Sequence, residues 1–181
     1  MNKSLQKVTL KELAAIVGAQ LKKYEIDAVL TGGACVSVYS ENRYQSLDLD
    51  FVTNAVEDKP AAIKKALGEI GFDLRPEGFF GNDDCPFIIE FIPLPLAVGR
   101  EPVKEISTIK TRTGSFRLLS PTDCVKDRLA AFYHWNDRQS LEQALMVAKR
   151  HKIDKKEVKR WSKNENMLDK YEIFDKKAKA I

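Results

Sequence analysis

The chain has 181 residues, 44% of them apolar and 31% charged. This balance excludes wholesale disorder, a collagen-like repeat and a disulfide scaffold. Its net charge is +4, and no apolar run approaches the roughly 20 residues that span a bilayer. The start, Met1-Asn2-Lys3-Ser4-Leu5-Gln6-Lys7, lacks a signal-peptide stretch, so a cytoplasmic protein with no membrane partner is expected.

In chain order, Thr9-Leu10-Lys11-Glu12 forms a capping box. Leu10, Leu13, Val17 and Leu21 then recur at helical spacing, predicting a helix over 9–23. Ala28-Val29-Leu30-Thr31 reads as a buried strand stopped by a tight turn at Gly32-Gly33, with a short helix over 34–40. Leu47-Asp48-Leu49-Asp50-Phe51-Val52 alternates with period two, which places both carboxylates on one strand face and Leu47, Leu49 and Phe51 on the other. Asp58-Lys59-Pro60 resembles an N-cap leading into a helix over 60–70 that Gly71 stops. Phe87 to Ile92 reads as a strand with Glu90 as its one charge. Residues 93–103 read as a Pro/Gly-rich loop, and Ile106 to Leu119 as a hairpin turning at Thr113-Gly114. Ser120 or Thr122 caps a helix that Pro121 opens, and helices are predicted over 122–135, 139–151, 155–163 and 166–179.

The fold class that follows is α/β (α+β), a mixed β-sheet with flanking helices. The α/β domain covers 1–119, and a C-terminal helical region covers 120–181. That region carries the basic surplus. Lys149 to Ile181 holds 12 Lys/Arg against 6 Asp/Glu, which suits a phosphate polymer or a solvated helical face. Cys35, Cys85 and Cys124 are odd in number and widely spaced, and read as reduced thiols. With only His134 and His151, a zinc site or a serine–histidine hydrolase has little to work with.

The informative feature is Gly32-Gly33 followed by Asp48-Leu49-Asp50. Two carboxylates on one strand face repel by about 1 kcal/mol in water and by more when partly buried. A hard divalent cation, Mg²⁺ or Mn²⁺, relieves that repulsion. A third carboxylate from a neighbouring strand completes a two-metal arrangement. Glu90 is the best candidate, because an unpaired charge inside an apolar strand is costly. Asp83 and Asp84 compete for this role, but following Gly81-Asn82 they read as a turn. Gly33 precedes a predicted helix, whose free N–H groups can face phosphate oxygens, and glycine lets phosphate approach the backbone. Strand, glycine pair, helix and acidic strand together describe a nucleoside triphosphate site.

These residues resemble the nucleotidyltransferase superfamily related to DNA polymerase beta. The resemblance rests on Leu30-Thr31-Gly32-Gly33, on Ser46-Leu47-Asp48-Leu49-Asp50-Phe51, and on Glu90. The fuller string Arg43-Tyr44-Gln45-Ser46-Leu47-Asp48-Leu49-Asp50-Phe51 is similar to the stand-alone bacterial and archaeal branch, which includes abortive-infection type toxins. The match covers residues 28–92 and extends more weakly to about 148. The spacer between Gly33 and Asp48 is 14 residues. Where the toxin branch carries Arg-x-x-Asp or Arg-Asp, this chain reads Arg138-Gln139-Ser140-Leu141-Glu142.

The resemblance implies in-line transfer of a nucleoside monophosphate from a triphosphate such as ATP to a hydroxyl, releasing pyrophosphate. Asp48 and Asp50 would hold Mg²⁺ or Mn²⁺. Glu90 would hold a second ion or help deprotonate the acceptor, and Gly32 and Gly33 would contact the triphosphate. The acceptor is an RNA such as a tRNA, a protein or a small molecule such as an aminoglycoside, and a toxin would have a cognate antitoxin. The alternatives are a non-catalytic nucleotide- or partner-binding member and an RNA-binding module. Lys126 and Arg128 reach the triphosphate or acceptor, or are surface helix charges beside Asp123 and Asp127. Arg43 and Ser46 orient the acidic strand or touch phosphate, unless Ser46 only faces solvent. His134 and Trp135 read as helix-end packing, and Phe79-Phe80 as strand packing or a base-stacking pair.

Overall fold

The computed structural model describes residues 5–180. Met1 to Ser4 and Ile181 lie outside the described residues. A 3-10 turn at Leu5–Lys7 leads into α1 (Leu10–Lys23). The capping box forms there. Thr9 Oγ1 accepts from the Glu12 amide at 3.2 Å, and the Glu12 carboxylate accepts from the Thr9 amide at 3.1 Å, satisfying donors that a helix start leaves orphaned.

The chain continues as β1 (Val29–Leu30), α2 (Gly32–Tyr39) and β2 (Asp48–Val52). Next come α3 (Ala55–Asp58), α4 (Pro60–Gly68), β3 (Asp73–Leu74), β4 (Phe80–Gly81) and β5 (Ile88–Ile92). A small hairpin, β6 (Ala97–Val98) and β7 (Glu101–Pro102), precedes a longer one, β8 (Ile106–Thr111) and β9 (Gly114–Leu119). Then follow α5 (Pro121–Trp135), α6 (Arg138–Arg150), α7 (Lys155–Asn164) and α8 (Leu168–Lys179). Seven strands make one mixed sheet in the order β3-β4-β5-β2-β1-β9-β8. β1 runs parallel to β9 and β2 parallel to β5, and the other neighbours are antiparallel. The fold is therefore mixed α/β. No helix among the described residues is long and apolar enough to cross a membrane.

The registers give the sheet one dry face. Leu30 pairs with Phe51 and Leu118, and Leu49 pairs with Ile89; all five side chains are buried. Each such side chain contributes about 1.5–3 kcal/mol on leaving water. Helix α1 lies very close to β9. A Cβ on Gly18 would sit 2.4 Å from the Ser115 carbonyl oxygen, so only glycine permits that approach.

Several expectations are corrected. The tight turn after β1 is made by Gly32 alone, at φ +66°, and α2 starts at the glycine pair instead of at residue 34. Leu47 precedes β2 and is 59% exposed, so it does not join Leu49 and Phe51 in the core. Asp58 ends α3, and Lys59 occupies the N-cap of α4. The strands β3 and β4 are two residues long, too short to leave a period in sequence. The stretch 93–103 contains the β6–β7 hairpin, which brackets the C-terminal helices. Trp161 donates from Nε1 to the Val98 carbonyl at 3.1 Å and stacks on Tyr133 with ring centroids 5.6 Å apart. Arg160 forms an ion pair with Glu101 at 2.5 Å, and Arg100 donates its amide to Glu165 at 2.9 Å. Helices α5 to α8 and the sheet share one hydrophobic core, from Val8 to Phe174.

Candidate functional site

The acidic side chains meet across the β2–β5 pair. Asp50 lies opposite Glu90 in the parallel register, and Asp48 lies opposite Ile88. Partners across a ladder share a face, and so do residues two apart on one strand. Asp48, Asp50 and Glu90 therefore occupy the same sheet face, opposite the dry one. Asp48 is exposed, while Asp50 and Glu90 are half-buried.

Helix α2 starts directly over this cluster. The Thr31 amide and hydroxyl both donate to the Asp50 carbonyl, at 2.9 and 3.3 Å, which locks the end of β1 onto β2. The chain then turns at Gly32. A Cβ there would sit 2.6 Å from Asp50 Oδ2, so the carboxylate occupies space that only glycine leaves open. Thr31 gives α2 no side-chain cap, which leaves the first-turn N–H groups open. Positive φ at Glu41 and Asn42 reverses the chain after α2. The Ser46 amide donates to Ser37 Oγ at 2.8 Å, and Ser37 Oγ donates to the Gly33 carbonyl at 3.2 Å. The long spacer is thus a helix plus a return, and it brings buried Ser46 back against Gly33. A Cβ on Gly33 would sit 3.1 Å from Ser46 Oγ and 3.2 Å from the Tyr44 hydroxyl. Ser46 supports the loop from inside and does not face solvent.

Burial pushes the Asp50 carboxyl up to about 6, with further upward push from the negative charges of Glu90 and Asp48. Arg128 opposes that push and Asp127 adds to it, so both lie within electrostatic reach of Asp50 from helix α5, which packs against α2. Arg128 binds Asp127 Oδ2 through Nη2 at 2.5 Å and Nε at 2.9 Å, and reaches Gln143 Oε1 at 3.4 Å. Behind it, Cys35 donates to the Leu30 carbonyl at 3.0 Å. Hydrogen bonding to Cys35, with burial, pushes the Cys124 thiol up. These thiols are free and inert core groups.

The remaining expected site residues lie elsewhere. Lys126 is buried and commits its ammonium to Asp123 at 2.9 Å and Glu157 at 3.2 Å, 5.9 Å from the Trp161 ring. It faces α7, not the acids. Arg43 is exposed in the return after α2. Asp83 pairs with Arg75 at 2.5 Å, and Asp84 accepts from Gln6 at 3.1 Å, as turn residues. Phe80 packs in the core against Phe91. Trp135 does not pack at the helix end and is 77% exposed. Sequence reasoning missed the contributions of Asp127 and Tyr44. The adjacency Asp127-Arg128 was visible, but not the face it presents. A cavity of about 560 Å³ lined by Gly18, Leu21, Phe51 and Phe116 lies on the dry side and contains none of the site residues.

The donor set suits a hard divalent cation by type, since all three are carboxylates, and Gly32 keeps Asp50 uncrowded. Among the described residues no three His, Cys, Asp or Glu side chains are gathered to hold one ion. The three-carboxylate arrangement expected from the sequence is therefore not formed: the acids share a face without converging on one point, and a bound Mg²⁺ would need one or two of them plus substrate phosphates.

No protein-family model and no curated protein matches the chain. Solved structures do. The antigenic nucleotidyltransferase-like protein from Paracoccidioides brasiliensis is similar with a TM-score of 0.59 and 15% identity, over 77% of this chain and 75% of that one. ANT(2'')-Ia in complex with adenylyl-2''-tobramycin is similar with a TM-score of 0.50 and 11% identity, over 77% of this chain and 87% of that one. The fold is nucleotidyltransferase-like. At these identities the likeness is one of fold.

Proposed function

We propose that the protein transfers a nucleoside monophosphate from a nucleoside triphosphate to a hydroxyl acceptor, releasing pyrophosphate. The observation that carries this reading is the pairing of Asp50 with Glu90, with Asp48 on the same face and Gly32 opening α2 over Asp50. Asp48 and Asp50 would hold Mg²⁺ or Mn²⁺, and Glu90, beside Asp50 on the same face, is left to act on the acceptor. When bound, the cation neutralises phosphate charge and polarises the α-phosphorus. The α2 N-terminal amides at Gly32 and Gly33 receive phosphate oxygens, and Arg128 supplies a fixed positive charge. The acceptor oxygen bonds to the α-phosphorus as the bond to the β-phosphate bridging oxygen breaks, and Glu90 takes the acceptor proton. Positioning and charge neutralisation carry the rate.

For the acceptor, the C-terminal helices favour RNA. Lys152, Lys155, Lys156, Lys159 and Lys163 are exposed along one stretch of chain, and none of them is in an ion pair among the described residues. Most of that stretch is α7, whose Val158 and Trp161 are buried in the core.

A second reading, a nucleotide-binding member that does not transfer, is favoured by the absence of an aspartate at 138–142. There Asp137 instead caps α6, accepting from the Gln139 and Ser140 amides. Incubation with α-phosphorus-labelled triphosphate, Mg²⁺ and cell extract separates the two readings. Label moving to RNA with the native chain, and not with Asp48→Ala/Asp50→Ala, supports transfer. Metal-dependent nucleotide binding without label transfer supports the second reading. Label on protein or on an aminoglycoside keeps the transfer and overturns the RNA acceptor.

A further inference from the structure

Helix α5 carries a feature that the reaction above leaves unused. Helix α5 packs against α2, whose first residue Gly32 lies beside Asp50, and α5 carries the Asp127–Arg128 pair. Seven residues on from Arg128, at 3.6 residues per turn, the helix returns to nearly the same face, about 10 Å further along its axis. Trp135 stands there, 77% exposed. It is the last residue of the helix. Asn136 reverses the chain in the left-handed region, and Asp137 opens α6. The chain folds back after the indole, since Arg128 of α5 reaches Gln143 Oε1 of α6 at 3.4 Å. The indole thus sits at the far end of a strip whose near end is the Asp127–Arg128 pair. Its chain neighbours are exposed His134, Asn136, Arg138 and Gln139. An exposed aromatic face with polar surroundings suits a flat, polar-edged ring better than an apolar protein surface.

We infer that Trp135 is a stacking platform for a nucleobase. The inference rests on the proposed triphosphate site, because the ring is delivered by a chain whose phosphate is anchored at Gly32 and Arg128. A base has the matching chemistry, a π-face above the indole and hydrogen-bonding edges directed to solvent and to Asp137 or Arg138. Such stacking tolerates any base and weakens by roughly 5- to 150-fold on alanine substitution. The base belongs either to the bound triphosphate or to an RNA acceptor.

The sequence makes the test direct. The protein has two tryptophans, and Trp161 is fully buried, so fluorescence quenching by iodide reports Trp135. Iodide quenching is measured for the native chain, Trp135→Phe and Trp135→Ala, with Mg²⁺ and in turn each nucleoside triphosphate, a short oligoribonucleotide and inorganic tripolyphosphate. Protection of the native indole by a triphosphate alone assigns the base to the nucleotide; protection only by the oligoribonucleotide assigns it to the acceptor. In either case Trp135→Ala loses at least 5-fold in affinity for that ligand, Trp135→Phe keeps most of it, and tripolyphosphate binds all three proteins alike. Unchanged quenching with every base-bearing ligand, while tripolyphosphate binds, overturns the platform and leaves the phosphate site standing. Failure of tripolyphosphate, triphosphate and RNA alike overturns both. Protection that grows with protein concentration alone also overturns the platform, because it marks a contact between copies.

Discussion

Replacing Asp50 with asparagine is expected to stabilise the metal-free protein while disabling its site. The folded carboxyl titrates at about 6 instead of the ordinary 3.8, because half-burial and the neighbouring Glu90 and Asp48 charges disfavour its ionised form. With the folded value above the unfolded one, the unfolded chain ionises first as pH rises. Stability therefore falls between about pH 4 and pH 6 and stays low above that. At about 1.4 kcal/mol per tenfold, the difference is about 3 kcal/mol, and partial access of the side chain to water reduces it to about 2 kcal/mol. Asparagine keeps the shape and removes the charge. In EDTA at pH 8, Asp50→Asn should melt about 4–8 °C above the native chain, and the gap should close below about pH 4. Added Mg²⁺ with a triphosphate should raise the native melting temperature and leave the variant unmoved. Scanning calorimetry across pH 4–8, with and without Mg²⁺, checks all three. A variant that melts at or below the native chain at pH 8 in EDTA would refute the reasoning, because Asp50 would then carry no charge strain for a cation to relieve.

Gly32→Ala should cost about 1–2 kcal/mol for the positive φ and displace the Asp50 carboxylate. Transfer activity should then fall further than the melting temperature explains; intact activity in a label-transfer assay contradicts the site geometry. Lys126→Ala leaves buried Asp123 without its cation and should cost about 3 kcal/mol, read by denaturant melting. Calorimetric triphosphate affinity of the folded fraction should stay unchanged, and a selective loss of affinity would return Lys126 to the site. Native RNA binding should weaken steeply with salt. Lys159→Gln/Lys163→Gln should flatten the log–log slope by about 0.7 per lost contact, and an unaltered slope removes α7 from the acceptor surface.

The acidic face was legible because period two is rigid. Once Asp48 and Asp50 alternate with Leu49 and Phe51, one sheet face follows, and an isolated Glu90 in an apolar strand had few other uses. What alternation cannot supply is which strand lies beside which, so the Asp50–Glu90 register had to come from the structure. The glycine pair was visible but its geometry was not. Gly32 turns within a single residue and belongs to the helix, and only the proximity of Asp50 Oδ2 explains why a side chain is excluded there. Lys126 and Arg128 looked equivalent in sequence, two residues apart on one helix. Helical geometry sends them about 200° apart, so Arg128 lies within electrostatic reach of Asp50 while Lys126 is buried against Glu157 and Trp161. The strands β3, β4, β6 and β7 were silent because two residues carry no period.

The central claim, that Asp48, Asp50 and Glu90 act as one cation-dependent triphosphate site, is tested most directly by titration calorimetry. Each nucleoside triphosphate is titrated into the native chain with Mg²⁺ and then with EDTA, and into Asp48→Ala/Asp50→Ala and Glu90→Gln with Mg²⁺. The account predicts saturable binding by the native chain that EDTA abolishes, that the double variant lacks, and that Glu90→Gln weakens. Binding of equal affinity in EDTA, or in the double variant, would contradict it.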